Sequence, residues 1–445
     1  MKVKEKLLIN HNLYHNANLR MSTNLANDNA NDFYNENLHY SRYIRCIRAN
    51  SRYSHYGLKI CIISPAYWPA ISWGGPINSV KLIAEELAKF GNKISVFTSA
   101  FGLNENKNKK EIINNVEVCY FKYFTFKRWF ISFSLLKEIW KQKNNFDIFH
   151  INLVWDPISW MSGFLLALLC KKIIISPRGT VEEELILKRS YLLKKIIYFL
   201  FIKFIFKKAS GFHFTSEIEK DKFFEYTKIN KPHKIILNPF NAEEFQKKAD
   251  KKLLQKFNLE NKKYILYFGR INWKKRIETL IDAFYEFIKN NKDFYLVIAG
   301  SPDKDYFIKL EEKINSLKLN NKVFLVGETI TGDLKLALYQ NAYCFVLPSI
   351  SENFGYVVLE ALASKIPVII SEGVGLKELV YKYNAGLVLE NKNNDLAKDI
   401  VLNLEKLKNL DFVKKLVQNG NELLESEFNN KILAEKTISF YKEIL

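Results

Sequence analysis

The feature that most constrains the fold is a repeated order of elements, in which a short apolar run is followed by a helical pattern and then by another apolar run. Residues 58–64 have the composition of a buried strand. Hydrophobic residues then recur at helical spacing over 80–90, and residues 94–98 form the next strand-like run. A strand, a crossover helix and a second strand make a βαβ unit, so this pattern predicts a parallel sheet covered by helices.

The same pattern continues along the chain and divides into two series. Because 445 residues are too many for one ordinary core, we predict an α/β fold with two Rossmann-like, doubly wound parallel-sheet domains and an interdomain cleft. Further strand-like runs lie at 148–152, 172–176, 211–215, 235–237, 264–269, 294–299, 323–326, 344–347, 368–370 and 386–389, and a polar helix is expected at 243–258. The expected boundaries are 1–56 for an N-terminal extension, 57–240 and 241–430 for the two domains, and 431–445 for a helix that packs back across both.

Composition narrows the setting of the protein. The five cysteines are scattered without a CxxC pair, which favours a reduced, cytosolic environment over structural zinc. Residues 1–56 show no sustained period, so we expect a disordered extension or an artefact of an early start codon. The net charge of +20 suggests nucleic acid, a negative membrane surface or a phosphorylated substrate as partner, although an AT-rich genome would also produce it.

The segment 349–360 carries the strongest chemical signal. The strand-like run before it ends at Leu347, and a helix is expected to begin near Gly355. The free N–H groups and the positive dipole end of a helix start suit an anion. Glu352 lies before this helix and Glu360 about two turns further on, so one carboxylate can reach a sugar and the other a ribose. Taken alone, the two glutamates also fit ordinary solvated positions.

Two glycine-containing loops add cations and accessible backbone. Gly269 follows the first strand of the second series, and Arg270 and Lys275 come within the next six residues. A guanidinium fork and an ammonium group suit a diphosphate. In the first series, Gly74 and Gly75 precede a helix and allow close approach of the backbone. An exposed basic turn and an ordinary loop are the alternative interpretations.

In this order and at these places, the three segments resemble the retaining GT-B glycosyltransferases of glycosyltransferase family 4 (group 1), which include polysaccharide- and lipopolysaccharide-assembly enzymes. The resemblance is almost continuous over 339–386, where Glu352 and Glu360 match the family's E-x7-E signature. It implies a hexosyltransferase that moves a hexosyl group from a UDP- or GDP-sugar to a saccharide or lipid-linked saccharide acceptor. It also implies that no metal or other cofactor is bound, and that the setting is cell-surface polysaccharide biosynthesis.

The resemblance further implies a role for each matched residue. Arg270 and Lys275 would hold the donor diphosphate and stabilise its departure, and Glu352 would contact the sugar hydroxyls. Glu360 would hold the ribose. No protein nucleophile is expected, because the leaving phosphate helps to deprotonate the acceptor. The predicted donor-binding residues are Gly74, Gly75, Arg178, Gly269, Asn353, Phe354, Gly355 and Glu360.

Two positions depart from the family pattern. Many members have glycine after the diphosphate lysine, where this chain has Arg276. Many carry a histidine near the sugar, and Arg178 occupies the corresponding place. The role of that histidine is therefore not transferred, and Arg178 is expected only to approach a donor or acceptor phosphate.

A D-x-D motif, two histidines and the basic charge allow other interpretations. Asp303 and Asp305 form a D-x-D, the metal motif of a different glycosyltransferase fold, but a solvated loop is the favoured interpretation. His150 either faces the cleft or caps its strand, and His213 is expected to be structural. A nucleic-acid-binding protein would explain the charge, yet no zinc finger, RRM-like pattern or recognition helix is present in the sequence. A sugar-nucleotide 2-epimerase of GT-B fold is the nearer rival.

The segment 187–208 combines lysines with leucine, isoleucine, phenylalanine and tyrosine. Such a helix can rest on an anionic membrane, although its charges spread widely around the helical wheel. We therefore expect a cytoplasmic protein with peripheral contact to the inner face of the plasma membrane through this segment.

Overall fold

The computed structural model describes residues 57–70, 75–126, 129–181, 191–390 and 395–445. Leu58–Leu445 form one compact unit with two large sheets. The predicted N-terminal extension, 1–56, lies outside the described residues.

The first sheet has eight strands. The strands of this half are β1 (Lys59–Ile63), β2 (Lys93–Ser99), β3 (Lys109–Ile113), β4 (Val116–Phe121), β5 (Phe124–Phe126), β6 (Trp129–Ile131), β7 (Ile148–Asn152), β8 (Ile173–Ser176), β9 (Gly211–Phe214) and β10 (His233–Ile235). The sheet order is β10-β9-β8-β7-β1-β2-β4-β3, with β3 antiparallel to β4 and the other neighbours parallel. Strands β7 and β8 are buried along their whole length, as expected for parallel strands covered on both faces.

Helices cover this sheet. They are α1 (Gly75–Lys89), α2 (Phe133–Gln142), α3 (Pro157–Leu168), α4 (Tyr191–Ile197), α5 (Lys203–Lys208) and α6 (Glu217–Thr227), with a π-helical turn at Tyr198–Ile202. Helix α3 shows why they start where they do. The Asp156 side chain accepts from the N–H of Ile158 at 3.0 Å, and Pro157 takes the first helical position, where its missing N–H costs nothing.

The second sheet is entirely parallel. Its strands are β11 (Lys263–Phe268), β12 (Phe294–Ala299), β13 (Val323–Val326), β14 (Cys344–Leu347), β15 (Val368–Ser371) and β16 (Leu387–Leu389), in the order β13-β12-β11-β14-β15-β16. The strand order reverses between β11 and β14, and in open α/β sheets the crevice at such a point binds ligands. The loops that follow these two strands are therefore expected to line a ligand-binding site.

The helices of the second half continue to the C-terminus. They are α7 (Glu243–Gln246), α8 (Ile277–Ile288), α9 (Lys304–Ser316), α10 (Gly332–Gln340), α11 (Tyr356–Ala363), α12 (Lys377–Lys382), α13 (Leu396–Lys406), α14 (Leu410–Glu427) and α15 (Asn430–Ile444), with 3-10 turns at Lys251–Phe257 and Trp273–Lys275. Helix α15 returns to the first half, where the Lys172 ammonium donates to the Ile444 carbonyl at 3.0 Å. Among the helices that the structure describes, none has the length and hydropathy needed to cross a membrane.

Two local predictions need correction. The strand expected at 235–237 lies instead at His233–Ile235. The single helix expected at 243–258 is two short pieces, Glu243–Gln246 and Lys251–Phe257, and the Gln340 side chain binds the backbone where they separate. Its Nε2 donates to the carbonyls of Phe245 and Lys247, and its Oε1 accepts from the N–H of Ala249.

Candidate active site

Two loops meet at the switch point of the second sheet. Residues 269–276 follow β11, and residues 348–355 follow β14, its parallel neighbour. The N–H of Ile350 donates to the carbonyl of Lys274 at 2.8 Å, which joins the loops directly. Gly269 has a φ of 145°, a conformation that favours glycine. The two segments that the sequence analysis singled out in this half therefore form one surface.

Lys275 and Glu352 contact each other on this surface. The ammonium of Lys275 pairs with the Glu352 carboxylate, although the two residues lie 77 positions apart. Their side chains are 11% and 27% exposed, so most of the pair is buried while part of its surface can contact a ligand. Arg270 is exposed on the same loop, and its carbonyl accepts from the buried Tyr267 hydroxyl at 2.8 Å. The structure thus brings the three predicted catalytic residues to one place.

Helix α11 begins directly after the second loop. Gly355 precedes its first turn with a φ of 93°. A glycine-containing segment supports the loop from behind, since the N–H of Glu352 donates to the Gly373 carbonyl at 2.9 Å and the N–H of Gly375 donates to the Glu352 carbonyl at 2.8 Å. Because the first N–H groups of a helix lack partners within it, this end of α11 suits an anion.

Glu360, further along α11, is held by two side chains from α10. The Lys335 ammonium lies 2.6 Å from Oε1, and the Tyr339 hydroxyl donates to Oε2 at 2.9 Å. Burial and the Glu360 carboxylate hold the pKa of Tyr339 well above its ordinary value, so the hydroxyl remains a donor. The sequence analysis missed Lys335 and Tyr339. Their spacing of four residues on one helical face was the signal that could have found them.

The first half contributes Gly75, which begins α1. A Cβ on Gly75 would lie 3.0 Å from Cδ2 of Tyr356 in α11, so the two halves touch here. The Tyr356 hydroxyl also donates to the carbonyl of Pro239, in the segment between the sheets, at 3.2 Å. Gly74, predicted together with Gly75, lies outside the described residues.

Arg178 is buried, and protein groups occupy its guanidinium. Nε and Nη2 donate to Oδ1 of Asn152 at 3.0 and 2.9 Å. Nη1 donates to Oγ of Ser79 at 3.0 Å and to Oδ1 of Asn238. The predicted approach of Arg178 to a phosphate would require exchange of these partners. As it stands, the residue ties β7 and α1 to the segment after β10.

Asn353 and Phe354 have different surroundings. Phe354 is buried in the core of the second half. Asn353 reaches the first half, where its Nδ2 donates to Oγ1 of Thr215 at 3.1 Å and its carbonyl accepts from Oγ of Ser216 at 3.2 Å. The loop that carries Glu352 is therefore bonded to residues that follow β9 of the other sheet.

Known families match the chain in both halves. Residues 73–244 match "Glycosyltransferase Family 4", and residues 232–423 match "Glycosyl transferases group 1". The chain belongs to the group 1, family 4 glycosyltransferases. This glycosyltransferase is a hexosyltransferase, as the resemblance of its motifs implied. The epimerase and nucleic-acid-binding alternatives are not favoured.

Relatives align with most of the glycosyltransferase. It is 26% identical over 404 residues to an uncharacterised glycosyltransferase of Methanocaldococcus jannaschii, with 86% of this chain and 98% of the relative covered. It is 27% identical over 333 residues to the alpha-monoglucosyldiacylglycerol synthase of Streptococcus pneumoniae, with 73% of each covered. The E. coli trehalose-6-phosphate protein solved with UDP-2-fluoro glucose has a TM-score of 0.68 at 12% identity, with 87% of this chain and 99% of that chain covered. The structural likeness confirms the GT-B fold.

The D-x-D of the glycosyltransferase begins a helix. Asp303 precedes α9, and Asp305 lies in its first turn, so the expected loop is a helix start. Within the described ranges, no group of three or more His, Cys, Asp or Glu side chains is placed to hold a metal ion.

The two histidines are buried side by side, with ring centres 5.3 Å apart. His150 Nδ1 lies 2.6 Å from the hydroxyl of Tyr441 on α15, and His213 Nε2 lies 2.9 Å from the Ile236 carbonyl. Burial lowers the pKa of His213 to about 3 and holds the pKa of His150 well below its ordinary value. Both rings are therefore neutral, and His150 packs the first half against α15.

Proposed function

We propose that this glycosyltransferase moves a hexosyl group from a UDP- or GDP-sugar to a saccharide or lipid-linked saccharide acceptor with retention of anomeric configuration. The observation that carries the proposal is the contact between Lys275 and Glu352 where the two loops meet. The contact supports the proposal, because a cation that can bind a diphosphate lies beside a carboxylate that can accept from sugar hydroxyls.

Donor binding follows from these groups. Arg270, Lys275 and the start of α11 would share the diphosphate charge. Once a phosphate takes the Lys275 ammonium, Glu352 is free to accept hydrogen bonds from the sugar. Glu360, fixed by Lys335 and Tyr339, would accept from the ribose hydroxyls.

The same arrangement supplies the chemistry. Negative charge grows on the diphosphate as the sugar leaves. Arg270 and Lys275 would stabilise this charge once Lys275 has exchanged Glu352 for the donor phosphate. The departing phosphate oxygen would accept the proton of the acceptor hydroxyl, which then attacks the face that the phosphate leaves. We propose that no metal or other cofactor takes part. Turnover unchanged by EDTA would support this, and loss of turnover restored by a divalent cation would contradict it.

Two measurements test the proposal. The full chain is screened with UDP-, GDP- and ADP-sugars for thermal stabilisation, and the stabilising donor is then assayed for release of nucleoside diphosphate. Release only in the presence of a saccharide or lipid-linked acceptor supports transfer. A 2-epimerised donor, formed without acceptor, would contradict it.

We further propose cell-surface polysaccharide or lipopolysaccharide assembly as the setting, with a cytoplasmic enzyme at an anionic membrane. The surface that supports membrane contact lies on Tyr191–Lys208; residues 187–190 of the predicted segment lie outside the described part of the chain. Its exposed apolar side chains, between 38% and 73% exposed, are Leu192, Leu193, Ile196, Phe199 and Leu200. The segment has five lysines and no acidic residue, at Lys194, Lys195, Lys203, Lys207 and Lys208. A segment that combines exposed apolar side chains with lysines and lacks acidic residues complements an anionic bilayer.

Vesicle sedimentation tests this contact. Because burying one large apolar side chain contributes about 1.5–3 kcal/mol, the double variant Phe199→Asp, Leu200→Asp should bind phosphatidylglycerol vesicles at least about tenfold more weakly than wild type. The matched control is Ile308→Asp, which alters a side chain 54% exposed on α9 and should leave binding unchanged. Equal binding by wild type and the double variant would contradict the proposal, as would equal loss in the control.

A further inference from the structure

The first half contacts the loop of Glu352 at Ser351, whose hydroxyl accepts from the Lys222 ammonium at 3.4 Å, and more extensively at Asn353. Asn353 Nδ2 donates to Oγ1 of Thr215, and Oγ of Ser216 donates to the Asn353 carbonyl, at 3.1 and 3.2 Å. Thr215 and Ser216 are both buried. Asn353 therefore receives a donor and an acceptor from consecutive residues of the opposite half, one peptide bond away from Glu352.

Glu219 sets the direction of both hydrogen bonds. Its Oε2 accepts from the N–H and the hydroxyl of Thr215, each at 2.7 Å, and its Oε1 accepts from the N–H of Gly179 at 2.6 Å. A hydroxyl has one proton, so Thr215, having donated to Glu219, can only accept from Asn353. The N–H of Glu219 donates to Oγ of Ser216 at 3.2 Å, which leaves the Ser216 proton for the Asn353 carbonyl.

Gly179 allows this close approach. Its φ is 67°, and a Cβ there would lie 2.4 Å from Cβ and Cγ of Asn353. Any side chain at 179 would therefore push Asn353 away. The preceding Arg178, with a φ of 55°, is anchored to Asn152 and Asn238, so the turn that presents Gly179 is fixed from inside the first half.

We propose that these first-half residues form a clamp that fixes Asn353 and thereby positions Glu352 for the donor sugar. The clamp consists of Gly179, Thr215, Ser216 and Glu219. They are positioning residues, because they act through Asn353 and not on the substrate. The backbone of Glu352 is already bonded on its other side to Gly373 and Gly375, so fixing Asn353 restrains the loop from the first half as well. The effect on turnover rests on the function proposed above.

Thr215→Val and Thr215→Ser separate the clamp from simple packing. Valine keeps the shape of threonine but can neither donate to Glu219 nor accept from Asn353, whereas serine keeps the hydroxyl. Losing these hydrogen bonds should lower kcat about tenfold or more in Thr215→Val, and Thr215→Ser should stay within about threefold of wild type. The KM for the donor should change less than about threefold in both variants, because the proposed diphosphate and ribose contacts lie in the second half.

Hydrogen exchange of peptides covering 349–356, measured without ligand, provides a second readout. Exchange should be faster in Thr215→Val than in wild type or Thr215→Ser. If Thr215→Val does not fold, Asn353→Ala removes the same contact from a partly exposed position and should accelerate the same peptides.

Three results separate the possibilities. Wild-type exchange and turnover in a folded Thr215→Val would overturn the clamp, and so would equal losses in the valine and serine variants, since these would indicate packing alone. If the wild-type enzyme transfers from no UDP- or GDP-sugar, the proposed function fails. The exchange comparison, made without a donor, still decides whether the clamp orders the loop.

Discussion

Replacing Lys275 by methionine should reduce catalysis far more than stability. An exposed ion pair contributes about 0–1 kcal/mol, and breaking a buried one costs about 3–5 kcal/mol. With side chains 11% and 27% exposed, the Lys275–Glu352 pair lies between these limits, so we expect a loss of about 1–3 kcal/mol. Since 1 kcal/mol shifts the Tm of a domain of 150–250 residues by about 2–4 °C, and a larger unit by less, the variant should remain folded at assay temperature.

Turnover should respond differently, because in the proposed function Lys275 meets the charge that grows on the leaving diphosphate. Removing one such preset group lowers kcat by about 10²–10³. The assay is acceptor-dependent release of nucleoside diphosphate at saturating donor, beside a thermal melt of each variant. Lys309→Met is the matched control, since it breaks the Lys309–Glu278 pair of the same half, in which the lysine side chain is 66% exposed, and should keep kcat within about twofold of wild type. A folded Lys275→Met with a loss below about tenfold, or an equal loss in the control, would refute the assigned role.

Three further predictions test the surroundings of the site. Tyr441→Phe leaves Nδ1 of the buried His150 unpaired and should lower the free energy of unfolding in urea by about 1–3 kcal/mol; no change would show that this contact contributes nothing. Burial raises the pKa of Asp156 to about 7, so the folded chain keeps a proton that the unfolded chain releases near pH 4. The free energy of unfolding of wild type should therefore fall, relative to that of Asp156→Asn, as pH rises from about 4 to 7. Parallel pH profiles of unfolding free energy in the two proteins would contradict this. Gly75→Val should lower kcat more than Gly75→Ala, because the larger side chain displaces the Tyr356 ring 3.0 Å away, and equal rates would exclude that contact as a constraint.

Burial explains which strands the sequence could predict. Those of the second sheet at 294–299, 323–326 and 344–347, and β7 of the first, were predicted with the bounds that the structure has. Their runs are apolar because helices cover both faces of the sheets. Strands β3, β5 and β6 were missed, since β3 is a lysine-containing antiparallel edge and β5 and β6 form a short separate hairpin. An edge strand that faces water has no apolar run to reveal it.

Local sequence also predicted which loops meet but not how side chains pair across them. Strand order alone brings the loops after β11 and β14 together. Lys335 and Tyr339 bind the Glu360 carboxylate. Asn353 is bound by Thr215 and Ser216, which lie 138 and 137 positions earlier, and only the tertiary fold brings them close. Arg276 takes a φ of 49°, a left-handed conformation that favours glycine, and many family members carry glycine at this position. The departure of this chain from the family pattern therefore keeps the backbone conformation.

The central claim is that sugar transfer with retention occurs at the surface formed by Lys275 and Glu352. The most direct measurement is the anomeric configuration of the product, read by NMR from the reaction of an α-linked nucleotide sugar with an accepted saccharide, for wild type and Glu352→Gln. We expect an α-linked product from wild type and almost none from a folded Glu352→Gln. A β-linked product, or wild-type turnover by Glu352→Gln, would contradict the account.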